Sequence, residues 1–544
     1  MRKKVVVLFC SFCAMIGLLL ARVGVLCTSD TLAQAAQKQT SYTLELGSVR
    51  GQIYDYKFRP LVNRASTAKA AVLPAPENFD EVLRSVSSER KSAVLDLLQK
   101  GNPFTLTVEH PDLLRNVEGV TVVDTPDRYA DDQLAVHVIG HLDSTRHGAT
   151  GIEKAYDSLL AGTDSRTTVT YHLDGLGKAL KGSPPTITNA EAPASGVVLT
   201  IDSEIQQIVE RAGAKYLKKG AVVVAEAKTG KLRAVASFPN FSPNDMAQSV
   251  KDTVNTPMIN RAFSAYNVGS TFKVSTAAAA LESGISKNLT YTCTGEIDVK
   301  GQKFKCHELD GHGTLNMASS MNESCNPYYI NLAAKVPTAG LRSMAADLSF
   351  GRSFDLAPGI RTAAAYLPTM ADLYNPADVA NFSFGQGKLT ATPLQITMMM
   401  CSVVNGGKTP SPTLVEGTTL EGTTVTAAGD ALPFTYAMSG KTASIIKEFM
   451  VSDVMQKSGQ YAKPRTISAG GKTGTAQTGQ FEGPREILQA WFSGFFPADN
   501  PKYVVTVLCE DGDYGNTSAG PVFRDIADKV WKQELYWQKQ KAGQ

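Results

Sequence analysis

The chain has 544 residues, of which 43% are hydrophobic and 19% are charged. These values are typical of a globular protein and exclude a disordered chain, and the length is enough for two or three domains. A formal net charge of +3 is close to neutral for this length, and it excludes the strongly basic surface of a nucleic-acid-binding protein.

The N-terminus predicts a membrane anchor. Met1-Arg2-Lys3-Lys4 is basic, and an apolar run follows from Val5 to Cys27, interrupted by Arg22 near its end. A membrane-spanning helix needs about 20 apolar residues, and its positively charged flank stays in the cytoplasm. We therefore predict a cytoplasmic tail over residues 1–4, a single transmembrane signal anchor over residues 5–27, and an extracytoplasmic remainder.

A cleaved signal peptide is the alternative, because Ala33-Gln34-Ala35 fits the small-x-small pattern of a cleavage site. That pattern lies beyond the polar residues 28–31, and the apolar run is longer than the core of a usual signal peptide. We favour the uncleaved anchor for these two reasons.

The remainder divides into two predicted domains. Residues 28–162 are predicted as a mixed domain with an amphipathic helix over Asn78–Gln99, and residues 163–195, rich in Gly, Pro, Ser and Thr, as a connector. The second domain covers residues 196–534, and residues 535–544 are a tail. Its predicted strands are Val197–Ile201, Ala221–Glu226, Leu232–Ser237, Gly470–Thr478, Ala490–Pro497 and Tyr503–Glu510. Strands at both ends with helices between them favour an α/β layered domain, an antiparallel sheet flanked by helices.

The eight cysteines divide by compartment. Three of them, Cys10, Cys13 and Cys27, belong to the anchor; the five outside it are Cys293, Cys306, Cys325, Cys401 and Cys509. An odd number excludes a complete disulfide framework. Cys293 and Cys306 flank a polar stretch, and they either close it as a disulfide or remain buried free thiols.

Three short motifs follow in a fixed order: Ser270-Thr271-Phe272-Lys273, Ser324-Cys325-Asn326 and Lys472-Thr473-Gly474. Ser270 precedes an alanine-rich run that is a strong helix former, so we predict it at a helix N-terminus, where the helix dipole favours negative charge on its oxygen. Lys273 lies three positions further on and therefore shares a helix face with the serine hydroxyl.

These motifs predict an acyl-transfer site with a serine, two lysines and no histidine. A lysine can be the base for a serine nucleophile only when burial or a nearby positive charge lowers its pKa, and Lys472 is the predicted neighbouring charge. It lies in a glycine-rich segment whose backbone a substrate can approach closely. Ser324 adds a hydroxyl that relays a proton and Asn326 an amide that binds substrate, while Cys325 is predicted to point away and pack.

Two segments resemble metal-binding or nucleotide-binding motifs but do not fit them. The segment His307-Glu308-Leu309-Asp310-Gly311-His312 resembles a zinc-binding helix, but its histidines are five residues apart and Gly311 would break the helix. Gly471-Lys472-Thr473 resembles the end of a P-loop, but Thr466 stands where the first glycine is required.

With these motifs the chain resembles a class B penicillin-binding protein, a peptidoglycan D,D-transpeptidase. The resemblance also covers Leu199-Thr200-Ile201-Asp202, Gly385-Gln386-Gly387, Trp491-Phe492-Ser493-Gly494-Phe495, Arg50-Gly51-Gln52-Ile53-Tyr54-Asp55 and Gly151-Ile152-Glu153-Lys154. It implies a penicillin-binding transpeptidase fold over residues 196–534 and a non-catalytic pedestal of the dimerisation type over residues 28–162. The segment after Asp55 departs from the family's pattern.

The resemblance also implies residue roles. Catalysis falls to Ser270, Lys273, Ser324 and Lys472, and substrate binding to Asn326, Thr473, Gly474 and Thr475. By this assignment the serine attacks the penultimate D-alanine carbonyl of a peptidoglycan stem peptide, releases the terminal D-alanine and passes the acyl group to a neighbouring stem. β-Lactams would acylate the same serine. The resemblance further implies a membrane glycosyltransferase partner and no cofactor.

A hydrolase is the nearest rival function, either a D,D-carboxypeptidase or a β-lactamase. A class A lactamase deacylates with a glutamate in a Glu-x-x-Leu-Asn sequence, and none of Glu416, Glu421 and Glu448 fits that pattern. A β-lactam sensor is a second rival, but such receptors usually carry several membrane spans and a cytoplasmic effector. Roles in elongation, division and sporulation remain open alternatives.

Overall fold

The computed structural model describes residues 2–27, 41–162, 165–174, 180, 183–191, 193–428, 434–456 and 459–542. The predicted cleavage pattern Ala33-Gln34-Ala35 lies outside these residues. The chain forms two compact units. The first contains Met1–Arg50, Asn63–Arg128 and Thr163–Pro193, and the second contains Gly51–Val62, Tyr129–Gly162 and Ala194–Gln544.

These units divide the chain differently from the predicted domains. Residues 51–62 and 129–162, predicted in the pedestal, pack within the second unit. Strand Ser165–His172, from the predicted connector, pairs with strand Ser41–Val49 in the first unit. The boundaries of the pedestal, the connector and the transpeptidase domain stay a prediction.

Among its described residues, the first unit has one long apolar helix and two small sheets. Helix Arg2–Cys27 is long and apolar enough to cross a membrane, and all its described residues are exposed. One sheet has the strand order Ser41–Val49, Ser165–His172, Thr186–Thr188, and the other the order Phe104–Thr107, Ala65–Val72, Val120–Asp127. The short helical turns of this unit are Pro76–Asn78 and Pro111–Leu113.

The predicted helix Asn78–Gln99 is wrong as one continuous element. The structure has helices Phe79–Arg84 and Lys91–Lys100 in its place. The helix ends because the Ser85 hydroxyl donates to the Val82 carbonyl, while the Ser85 carbonyl accepts from the Glu109 amide. Serine side chains compete in this way with the helical hydrogen-bond pattern.

The second unit is built on a five-stranded sheet with the order Leu232–Phe238, Gly220–Glu226, Tyr503–Glu510, Arg485–Phe496, Gly470–Glu482. Every neighbouring pair is antiparallel, as predicted. Strand Gly470–Glu482 is an edge strand and has 13 residues. It therefore offers one row of backbone groups to whatever approaches from outside the sheet.

Both faces of this sheet are covered. Successive side chains of strand Gly220–Glu226 therefore pack on opposite faces, in two different apolar clusters. Val222 and Val224 pack in one apolar cluster with helices Ser203–Tyr216 and Gly520–Ala542. Val223 and its neighbours on the other face pack in the main cluster, which includes helix Pro393–Val404. A strand buried on both faces has no polar side in its sequence.

The second unit also contains further helices and, outside the five-stranded sheet, short strands that form small sheets. Its other helices are Val136–Ile139, Gly151–Ala155, Asp157–Ala161, Met246–Lys251, Lys273–Glu282, Met317–Asn322, Asn326–Ala333, Thr338–Asp347, Pro376–Ser383 and Gly440–Gln456, with helical turns at Gly269–Phe272, Gln460–Ala462 and Gly515–Ala519. Its other strands are Gln52–Tyr54, Gly196–Leu199, Tyr266–Asn267, Tyr291–Cys293, Glu296–Val299, Gln302–Lys305, Gly313–Leu315, Asp355–Ala357, Ile360–Arg361, Thr390–Ala391, Lys408–Thr409, Val415–Thr419, Ala427–Ala428 and Thr435–Tyr436.

Candidate active site

Ser270 lies in the 3₁₀ turn Gly269–Phe272, which leads directly into helix Lys273–Glu282. The helix proper therefore starts three residues later than predicted, and the serine occupies the turn at its N-terminal end. Gly269 has a φ of +62°, and a Cβ there would lie 2.5 Å from the Thr475 carbonyl oxygen. Only glycine satisfies both the backbone angle and this close approach.

Lys273 is buried and its Nζ lies 2.9 Å from Ser270 Oγ. The same nitrogen donates to Asn326 Oδ1 at 2.7 Å and to the Ser324 carbonyl at 2.5 Å, and it lies 3.2 Å from Ser324 Oγ. The first two motifs of the sequence thus meet at a single amine.

Ser324 and Asn326 lie at a turn between two helices, Met317–Asn322 and Asn326–Ala333. Ser324 adopts a φ of +51°, which is uncommon for a residue with a side chain. Cys325 is the N-cap of the second helix and is fully buried, as predicted. The turn therefore sends two polar side chains toward Lys273 and the thiol between them into the core.

Lys472 brings the third motif to the same point. It is fully buried on edge strand Gly470–Glu482, and its Nζ lies 3.2 Å from Ser324 Oγ and 3.3 Å from Thr473 Oγ1. The Ser324 hydroxyl therefore lies between the two lysine amines, within 3.2 Å of each.

Burial sets the charge of the two lysines. The pKa of Lys273 lies well below its usual value, first because burial penalises the ammonium and second because of the positive charge of Lys472. Burial also lowers the pKa of Lys472, but the Asp453 carboxylate opposes that shift. Lys273 is consequently the amine that can accept a proton. The ammonium of Lys472 has a countercharge in the Asp453 carboxylate.

Gly474 and Thr475 continue the same edge strand past the serine. A Cβ on Gly474 would lie 2.8 Å from Thr271 Cγ2, so a side chain there would displace the turn that carries Ser270. Thr475 Oγ1 accepts from the Gly515 amide at 3.2 Å. Thr473 and Thr475 are both half-buried, so part of each residue is accessible.

The structure thus brings together the catalytic and binding residues proposed from the sequence. It adds Asp453, which lies on helix Gly440–Gln456. Its carboxylate Oδ2 is 4.0 Å from Lys472 Nζ. Sequence reasoning missed this residue because it belongs to no motif. A single acid within the apolar stretch Met450-Val451-Ser452-Asp453-Val454 was the available signal.

The sequence model of the family described as "Penicillin binding protein transpeptidase domain" matches residues 220–528, more than half of the chain. The chain belongs to this family. The matched residues begin at strand Gly220–Glu226 of the five-stranded sheet and include all three motifs.

Three known proteins illustrate the family relationship. The chain is 29% identical to the stage V sporulation protein D of Bacillus subtilis, over 91% of this chain and 80% of that protein. It is 30% identical to the peptidoglycan D,D-transpeptidase PbpA of Mycobacterium tuberculosis, over 75% of this chain and 84% of that protein. A solved structure described as "Structural coordination of polymerization and crosslinking by a peptidoglycan synthase complex" has a TM-score of 0.69 and 24% identity, covering 97% of this chain and 98% of the other.

Several predictions made from the sequence are confirmed by these findings. The protein is a class B penicillin-binding protein with the penicillin-binding transpeptidase fold, and it is a serine-type peptidoglycan D,D-transpeptidase. Because the chain belongs to this family and has an N-terminal apolar helix, the protein is membrane-anchored. The roles of individual site residues stay predictions.

Proposed function

We propose that Ser270 is the nucleophile of this transpeptidase and that Lys273 is its general base. The observation that carries the proposal is the 2.9 Å separation between Lys273 Nζ and Ser270 Oγ, in surroundings that lower the pKa of the amine. A neutral amine at hydrogen-bond distance can take the hydroxyl proton as the oxygen attacks a carbonyl.

The first half-reaction forms an acyl-enzyme. Ser270 Oγ bonds to the penultimate D-alanine carbonyl carbon of a stem peptide, and the bond from that carbon to the nitrogen of the terminal D-alanine breaks. The proton taken by Lys273 passes through the Ser324 hydroxyl, 3.2 Å from the amine, to the departing nitrogen. A β-lactam acylates the same oxygen when its ring amide opens.

The second half-reaction makes the cross-link. An amine of a neighbouring stem attacks the ester carbon, loses a proton to the Lys273 amine and displaces Ser270 Oγ, which regains its proton. Departure of the first D-alanine and entry of the second stem use the same carbonyl, so one set of groups can serve both steps.

Substrate binding falls to groups around this serine. Lys472 and Thr473, with the hydroxyl of Thr475, bind the carboxylate of the terminal D-alanine, and Asn326 binds a backbone amide of the stem. The backbone N–H groups of Ser270 and Thr475 form the oxyanion hole. The close approach of Gly269 to the Thr475 carbonyl supports this pairing of backbones.

A hydrolase that uses a deacylating glutamate is less well supported. Of the three glutamates between the second and third motifs, Glu416 forms an ion pair with Lys231 at 2.8 Å. Glu421 and Glu448 are exposed. We therefore expect the acyl-enzyme to persist until an amine arrives, apart from slow carboxypeptidase activity.

Membrane topology belongs to the same proposal. The basic residues Arg2, Lys3 and Lys4 precede the apolar helix, so we place the N-terminus in the cytoplasm and the transpeptidase outside the membrane. We also infer a membrane glycosyltransferase partner, in line with the similar structure of a peptidoglycan synthase complex. Full-length protein should co-purify with such a partner, and an unchanged yield after replacing residues 1–27 by a foreign anchor would exclude a role for the anchor in that contact.

The nucleophile is tested by labelling the full-length protein in detergent with a fluorescent penicillin over several hours. We expect a stable adduct that is absent in Ser270→Ala. Ser275→Ala is the matched control, because it removes another buried hydroxyl of the adjoining helix and should leave labelling unchanged. An adduct that clears within seconds would favour the hydrolase, and labelling of Ser270→Ala would overturn the assignment.

A further inference from the structure

Four metal-ligating side chains meet on the far side of the Ser324-Cys325-Asn326 turn. The Sγ atoms of Cys293, Cys306 and Cys325 and a ring nitrogen of His312 all lie within 4.8 Å of one another. The three cysteines are free thiols and buried, and His312 is half-buried. This is one cluster, although its members come from four separate segments of the chain.

The local fold brings these segments together through its backbone. Strand Tyr291–Cys293 pairs with strand Gly313–Leu315, with Cys293 opposite Gly313, so His312 lies beside the first cysteine. A Cβ on Gly311 would lie 2.3 Å from the Cys293 carbonyl oxygen, and its φ is +83°. The Cys306 amide donates to the Gly295 carbonyl at 2.7 Å, which fixes the second cysteine to the same loop.

We propose that Cys293, Cys306, Cys325 and His312 bind one zinc ion. The distance between Cys306 Sγ and His312 Nδ1 is 3.5 Å. Tetrahedral zinc with usual bond lengths of about 2.3 Å to sulfur and about 2.05 Å to nitrogen places two such ligands about 3.6 Å apart. Three thiolates with one imidazole are a typical structural zinc set, and four protein ligands leave no open position for catalysis.

His307 is the competing fourth ligand. Its Nδ1 lies 4.0 Å from Cys306 Sγ, and the two histidine rings have centroids 5.1 Å apart. The longer distance assigns ligation to His312 and not to His307. On sequence alone, residues 307–312 do not fit a zinc-binding helix. In the structure these residues form a loop, so the spacing of the two histidines on a helix does not apply.

The ion would hold the turn that carries two of the proposed active-site residues; this part rests on the proposed function. Cys325 stands between Ser324 and Asn326, and Ser324 keeps an uncommon φ of +51°. A metal bond to the Cys325 sulfur anchors the turn from the side opposite to Lys273, which contacts both flanking residues. The zinc ligands are thus positioning residues in this proposal and do not touch the substrate.

Metal content tests the site directly. Full-length protein purified in detergent should contain one zinc per chain by elemental mass spectrometry, and Cys306→Ser and His312→Ala should lose most of it. His307→Ala and the buried Cys401→Ser are matched controls that keep their zinc. Absence of metal, iron in place of zinc, or a disulfide between Cys293 and Cys306 in the purified protein would overturn the proposal.

A second measurement does not depend on variants that fold. Dipicolinate treatment of the unmodified protein should remove the zinc and lower the melting temperature, and added zinc chloride should restore both. A melting temperature that stays the same after complete removal of the metal would exclude a structural role.

Penicillin acylation then separates the two parts of the inference. Removal of zinc should slow acylation by about tenfold, a loss expected from a small displacement of the reacting groups, with recovery on reloading. Stoichiometric zinc with an unchanged acylation rate would overturn the positioning role and leave the site. Zinc-loaded protein that never forms an adduct at Ser270 would refute the proposed function, while the metal content would still decide the site.

Discussion

Asp453 Oδ2 lies 4.0 Å from Lys472 Nζ, and both side chains are completely buried. A buried ammonium is costly without a countercharge, and this carboxylate raises the pKa of Lys472 against the effect of burial. We infer that Asp453 is a positioning residue, which keeps Lys472 charged for the substrate carboxylate that the proposed function assigns to it.

Asp453→Asn should weaken acylation by at least about 30-fold, because the loss of one partner of a buried charge pair costs about 2 kcal/mol or more. Because the substitution lowers the pKa of Lys472 further, the decline of the acylation rate at alkaline pH should move to lower pH. Stopped-flow labelling across a pH series measures both effects.

The control for this variant is Asp525→Asn, which removes the acid of the more exposed ion pair with Lys529. Such pairs contribute little, so the control should change stability by less than about 0.5 kcal/mol and leave acylation unchanged. A pH profile for Asp453→Asn identical to that of the unmodified protein would show that the carboxylate does not act through Lys472.

Lys273→Arg should abolish acylation, because it places a permanent cation where the proposed base is a neutral amine. A guanidinium cannot give up its proton in a protein, so it cannot act as a base for Ser270. We expect the rate to fall by at least about 100-fold, the lower end of what a general base contributes. Mass spectrometry of the penicillin adduct measures the loss, and a melting curve checks that the variant is folded.

Much of the five-stranded sheet could be predicted from the sequence, because its strands are apolar runs bounded by turn residues. Strand Tyr503–Glu510 has the predicted bounds. Strand Gly470–Glu482 extends four residues beyond the predicted Thr478, because its end is a polar and exposed hairpin with no apolar pattern. The helix start near Ser270 was placed three residues early for a similar reason, since a 3₁₀ turn and an α-helix share one sequence pattern.

The parts of the site that could not be predicted depend on distant segments. Cys293 and Cys306 are thirteen residues apart, and no short spacing of cysteines marks them as metal ligands. The pairing of strand Tyr291–Cys293 with strand Gly313–Leu315 brings Cys293 beside His312, and the hydrogen bond from the Cys306 amide to the Gly295 carbonyl brings Cys306 to the same loop. Asp453 likewise acquires a partner only when its helix packs against the edge strand that carries Lys472.

Gly269→Ala should impair both folding and acylation. Its φ of +62° disfavours a side chain, and the added Cβ would meet the Thr475 carbonyl at 2.5 Å. Gly284→Ala is a matched control, because Gly284 has a φ of +82° but no atom of the described residues within 4 Å of the added Cβ. We expect the control to lose only about 1 to 2 kcal/mol, the cost of a side chain in the left-handed region, and to acylate normally. Equal losses in the two variants would mean that contact with Thr475 does not position Ser270.

Stability should fall at acidic pH because of His137. Burial lowers the pKa of this histidine to about 4, the positive charge of Arg261 adds to the effect, and a 2.7 Å hydrogen bond to the Pro257 carbonyl opposes it. The unfolded chain binds this proton near pH 6.5, so the contribution of the neutral imidazole is complete above pH 6.5 and is lost as the pH falls toward 4. That difference corresponds to about 3 kcal/mol.

Urea unfolding at pH 7.5 and pH 4.5 measures this effect. His137→Gln should reduce the loss of stability between the two pH values, because glutamine can keep a hydrogen bond to the Pro257 carbonyl and does not bind a proton. The exposed His110→Gln is the control and should retain the loss of the unmodified protein. A loss that is the same in both variants would assign the acid sensitivity to other groups, because stability depends on pH only through groups that bind protons differently in the folded and unfolded states.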